Sequence, residues 1–161
     1  MIEQDVSEAI EQMLDSDIEI FEYIRQSSEV EKFVEETLDL RAEIVSDYIL
    51  SPGTGEPFTD RVAKTALLCL IYFQLESDEK ESLTRTYELA AGLYTDKSRL
   101  SEQMKVSETY QVISKFCEEN ADTKTGGYYD MLKYFLESDV EISEAVERMT
   151  EKLYDTIHQF A

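Results

Sequence analysis

The chain has 161 residues, 42% of them hydrophobic, and a formal net charge of −21 from 36 acidic and 15 basic side chains. That length and apolar content predict one sizeable core in a single domain, residues 1–161. The sign of the charge argues against contact with bare nucleic acid or an anionic membrane, and for basic proteins, cations or polyamines as partners.

The two cysteines, Cys69 and Cys117, stand far apart, and the chain has no CxxC pair and no basic-then-apolar start. A reducing, cytoplasmic setting is the expectation. Helical periodicity runs almost throughout, with no convincing alternating strand, so the fold class read from the sequence is all-α: a single-domain bundle of about six or seven helices.

Taken in chain order, Val6, Ile10, Met13, Leu14, Ile20, Phe21 and Ile24 form a first apolar stripe. Val30, Phe33, Val34, Leu38, Val45, Tyr48 and Ile49 form a second. The two predict a pair of long acidic helices within residues 1–50. The segment SPGTGEP, Ser51 to Pro57, is the strongest turn signal in the chain. Thr59 or Asp60 is then expected to cap a third helix reaching Leu75. Its run from Ala66 to Phe73 is apolar on nearly every side, so this helix should lie at the centre of the core; the run is far too short to span a bilayer. ESDEKES reads as a polar connection. Further helices are expected at 84–94 and 97–119, then a loop, NADTKTGG, and a C-terminal pair at 128–137 and 140–160.

Charge is unevenly spread along these elements. Residues 1–50 hold 15 acidic and 3 basic side chains, net −12; residues 59–115 are nearly neutral at net −1; residues 116–161 carry net −7. Glu outnumbers Asp by 24 to 12. The uneven spread and the Glu excess both argue against a uniform high-salt adaptation.

The near-neutral section contains ELAAGLYTDKSRLSEQM, Glu88 to Met104. Leu89, Ala90 and Leu93 on a first helix and Leu100 on a second would lock a tight helix pair, and in this the stretch resembles the helix-turn-helix proteins. On that resemblance residues 59–128 form a winged DNA-binding centre. Lys97, Ser98, Arg99 and Lys105 would face the nucleic acid, and DTKTGGYY would form the wing, with Lys124 near its tip. The pattern is incomplete. Tyr94 and Thr95 occupy the turn where glycine and an aliphatic residue are usual, and four cations are few for neutralising phosphates.

Catalytic signals are thin. The single histidine, His158, shares no motif with a nucleophile or base. Adjacent carboxylates such as Glu35 with Glu36 are unremarkable in so acidic a chain. One histidine cannot supply a di-metal bundle, and no EF-hand or phosphate loop is present. Neither an enzymatic activity nor a cofactor or metal is expected. Ten tyrosines remain. Carboxylates with tyrosine rings are what a surface needs to contact a basic groove, the acids standing for phosphates and the rings for bases. Helical acidic inhibitors of nucleases and restriction systems are similar in composition.

The reading that follows is a non-enzymatic regulator or inhibitor. It would present acidic helices, chiefly within 1–50 and 140–155 and with Glu31, Glu35 and Asp39 as a representative face, to a basic protein partner whose surface otherwise holds nucleic acid. The alternative is a winged helix-turn-helix-like regulator that binds DNA directly. Either reading accommodates a homodimer, and neither involves a membrane.

Overall fold

The computed structural model describes Phe21, Ile24 and residues 34–77, 80–93, 108–137 and 143–158. Six helices account for nearly all of these: α1 (Val34–Leu50), α2 (Pro57–Glu76), α3 (Leu83–Leu93), α4 (Glu108–Glu119), α5 (Lys124–Glu137) and α6 (Ser143–His158). Among the described residues there is no strand, so the class is all-α. No helix among them is long and apolar enough to cross a membrane.

The apolar run that predicted a central helix lies in α2. Every residue from Thr65 to Gln74 is buried, and α1, α3, α5 and α6 all pack against this helix. Leu67, Leu70 and Ile71 are fully enclosed, and each contributes roughly 1.5–3 kcal/mol by leaving water. Phe21 and Ile24 join the same core, which places the end of the first apolar stripe where the periodicity required it. Of these neighbours, α1 and α5 run antiparallel to α2. Asp39 on α1 meets Tyr72 while Asp47 meets Lys64; Thr125 at the start of α5 meets Glu76, while Phe135 near its end packs edge-on against Phe58 at 5.5 Å.

Buried polar groups at the end of α2 are satisfied by the next helix, as burial demands. The Gln74 amide donates to Thr86 and to the Leu70 carbonyl, and its oxygen accepts from the Ser82 N–H at 3.1 Å. Ser82 in turn caps α3, its Oγ accepting the Arg85 N–H at 3.0 Å. At the other end of α3 the backbone approaches α4 closely. A Cβ on Gly92 would lie 2.3 Å from Thr109 Oγ1, a hydroxyl that donates to the Leu89 carbonyl at 2.8 Å. Glycine is the residue this crossing accepts. Leu89, Ala90 and Leu93 are buried as expected; Tyr94, Thr95 and Leu100 lie outside the described residues.

Two boundaries differ from expectation. α2 begins at Pro57, which suits the first helical position because its missing N–H would have had no helical acceptor. Asp60 does not cap it. Its carboxylate turns back to accept the Thr54 N–H at 2.9 Å and the Thr54 hydroxyl at 2.8 Å, closing the turn that Gly55 enters with φ +84°. The second difference is larger. Of DTKTGGYY, expected as a loop or wing, Lys124 to Tyr129 form the first part of α5, and Asp122 and Thr123 lie just before it. Thr123 Oγ1 accepts the Gly126 N–H at 3.0 Å, while Glu76, from the end of α2, accepts the Lys124 and Thr125 N–H groups at 3.0 and 2.7 Å. The unpaired amides of a helix start are thereby satisfied. This offsets the roughly 1 kcal/mol that each of Gly126 and Gly127 costs inside a helix.

Candidate partner-binding surface

The carboxylates of α1 form a row. Asp39, Glu43 and Asp47 recur every fourth residue, a rise of about 6 Å per step. Two lysines from neighbouring helices face this row. Lys64 lies 3.1 Å from Asp47 and 3.7 Å from Glu43, and Lys124 lies 3.0 Å from Asp39. Asp39 also accepts the Tyr72 hydroxyl proton, so both of its oxygens are engaged. Tyr72 stacks on Tyr128 with centroids 5.5 Å apart. Burial, and then the Asp39 bond, raise the Tyr72 phenol above its ordinary range. Burial and the nearby Glu43 and Asp39 do the same for Tyr128.

Of the residues read from sequence as the acidic face, Asp39 is therefore a cross-link between α1, α2 and α5. Glu35 belongs to α1, but its side chain lies outside the described residues, as does Glu31 altogether. Among the residues of the DNA-binding alternative, Lys97, Ser98, Arg99 and Lys105 also lie outside the described residues. Lys124 sits in the first turn of a helix, beside a carboxylate, and not at the tip of a hairpin.

A cleft of about 230 Å³ lies at the junction of α1, the 51–56 turn, α2 and α6, lined by Asp47, Asp60, Lys64 and Arg148 among others. Its charges are engaged within the protein. Lys64 pairs with α1, Asp60 holds Thr54, and Arg148 donates to the Pro52 carbonyl. The two hydrogen bonds from Thr54 hold the Asp60 carboxyl below its ordinary range. Among the described residues no three of His, Cys, Asp and Glu gather as a metal ion would require.

The outward face of α6 is different. Glu144, Glu151 and Asp155 are exposed and meet no cation among the described residues. Between them Tyr154 is 48% exposed. One side of its ring lies against His158, centroids 3.9 Å apart, and the histidine Nδ1 is 2.9 Å from the Tyr154 carbonyl oxygen. The other neighbour is Tyr87 of α3, with ring centroids 5.9 Å apart and planes tilted by 52°. Tyr87, Thr150, Glu151, Tyr154 and Asp155 line a cleft of about 260 Å³. The sequence marked 140–155 as acidic but did not single out this site, because Tyr87 lies 67 residues from Tyr154 in the chain and only the packing of α3 on α6 joins them.

Comparison with protein-family models, with curated proteins and with solved structures found no match.

Proposed function

We propose that the chain is a non-enzymatic binding protein that presents carboxylate-rich helices to a basic surface of a partner protein, of the kind that otherwise holds nucleic acid, and so regulates or inhibits that partner. The observation that carries the reading is the outward face of α6. There Glu144, Glu151 and Asp155 stand exposed beside a half-exposed tyrosine with no cation among the described residues to neutralise them. Carboxylates left unpaired on a chain of net charge −21 attract a basic partner over distances of about 10 Å at ordinary ionic strength. Lys124 gives the DNA-binding alternative little support, since its ammonium group is already held by Asp39.

The test is the rate of association with basic, nucleic-acid-binding proteins captured on the immobilised chain at low salt. Glu144→Lys combined with Glu151→Lys should slow association about tenfold and change dissociation much less, because charge steers encounter more than it holds a complex. An association rate that ignores both the substitutions and added salt counts against the reading.

A further inference from the structure

We infer that the cleft between α3 and α6 receives one arginine side chain of the basic partner; the inference rests on the acidic-surface reading and specifies the group that reading leaves open. Three features of the cleft select a cation. Glu151 and Asp155 are one helical turn apart on the same face of α6 and are engaged with no cation among the described residues. Thr150 spends its hydroxyl proton on the Val146 carbonyl at 2.8 Å, which leaves only acceptor lone pairs for a ligand. The remaining walls are the rings of Tyr87 and Tyr154; His158 covers one side of the Tyr154 ring, and the aromatic surface left to the cleft is electron-rich and attracts cations.

Two positive side chains of the surrounding helices are committed elsewhere, and Lys152 of α6 forms no ion pair with Glu151 or Asp155 among the described residues. Arg85 of α3 pairs with Glu88 at 3.2 Å, and Arg148 of α6 donates to the Pro52 carbonyl. At about 260 Å³ the cleft falls below the roughly 300–1,000 Å³ of sites that hold whole small molecules, so it suits a single head group. Calcium is a poor match, because two carboxylates beside aromatic walls fall short of the six to eight oxygens it takes. Arginine fits better than lysine. Its planar guanidinium stacks on a ring while its fork of five donors reaches carboxylates one turn apart, whereas an ammonium is a compact, strongly hydrated point charge.

Titration of the chain with capped hexa-arginine and hexa-lysine peptides at low salt, followed by calorimetry and by the tyrosine ring resonances, tests this. The variants are Tyr154→Ala, the near-isosteric pair Glu151→Gln with Asp155→Asn, and a control pair, Glu118→Gln with Glu119→Gln, on the exposed face of α4. Hexa-arginine should bind the wild type, and about fivefold or more weaker to each cleft variant, the size of one cation–ring or charge contact. The control pair should change affinity less than about twofold, as screened surface charge does. Hexa-lysine should be indifferent to Tyr154→Ala. Equal losses in the cleft and control pairs would overturn the arginine site and leave the acidic-surface reading standing. Failure of both peptides to bind the wild type would overturn both.

Discussion

Cys69 and Cys117 hold their protons more tightly than free thiols do, because the core around α2 and α4 penalises the thiolate. Cys69 is fully buried, with its Sγ 4.0 Å from the Thr125 carbonyl oxygen. Cys117, part-buried, is pushed up to about 11. Tyr72 and Tyr128 are shifted in the same direction, mainly by burial. In the unfolded chain these groups ionise near 9.0 for the thiols and 10.0 for the phenols. Above those values the unfolded state has released protons that the folded state still holds, so stability must fall as pH rises. The melting temperature should therefore drop steadily from pH 9 through 11, and Cys69→Ala should flatten the first part of that slope. A melting temperature that stays level or climbs over this interval would contradict the placement of these four side chains.

The helix starts show how far the chain could be read from its order of residues. The apolar stripes located α1, α2, α3 and α6 within a few residues, because periodic burial is a property of each helix by itself. The start of α5 was not legible, because its cap comes from Glu76, 48 residues earlier than Lys124, and local glycines argue for a loop. With the helix starting at Lys124, Tyr128 and Tyr129 turn towards the core, where Tyr129 is 8% exposed and meets Tyr110 edge-on at 5.4 Å. The same limit hid the cleft, since nothing in the order of residues pairs Tyr87 with Tyr154. Glu76→Gln keeps the shape of the cap but removes its charge, while Glu76→Ala removes the cap. Alanine should cost about 1 kcal/mol of stability and glutamine less. Amide exchange at Lys124 and Thr125 should quicken most in the alanine variant, ahead of any change in α6. Unaltered exchange there would mean that Glu76 does not hold the start of α5.

Over the molecule, three basic side chains are spent on contacts between its own elements. Lys64 and Lys124 bind α1 to its neighbours, and Arg148 ties α6 to the 51–56 turn. Each such exposed pair is worth only about 0–1 kcal/mol, yet together they leave the outward face of α6 negative. The central claim is that this surface competes with nucleic acid for basic partners and does not bind nucleic acid itself. Fluorescence anisotropy of a labelled mixed-sequence duplex at low salt tests it in one titration, run with and without a bound arginine-rich peptide. No rise in anisotropy is expected when the chain is added to bare duplex. When the duplex carries the peptide, a fall is expected as the peptide is drawn off, and this fall should be weakened by Glu151→Gln with Asp155→Asn. A rise on bare duplex with micromolar affinity, abolished by alanine at Lys97, Arg99 and Lys105, would contradict it and make the chain a DNA-binding protein.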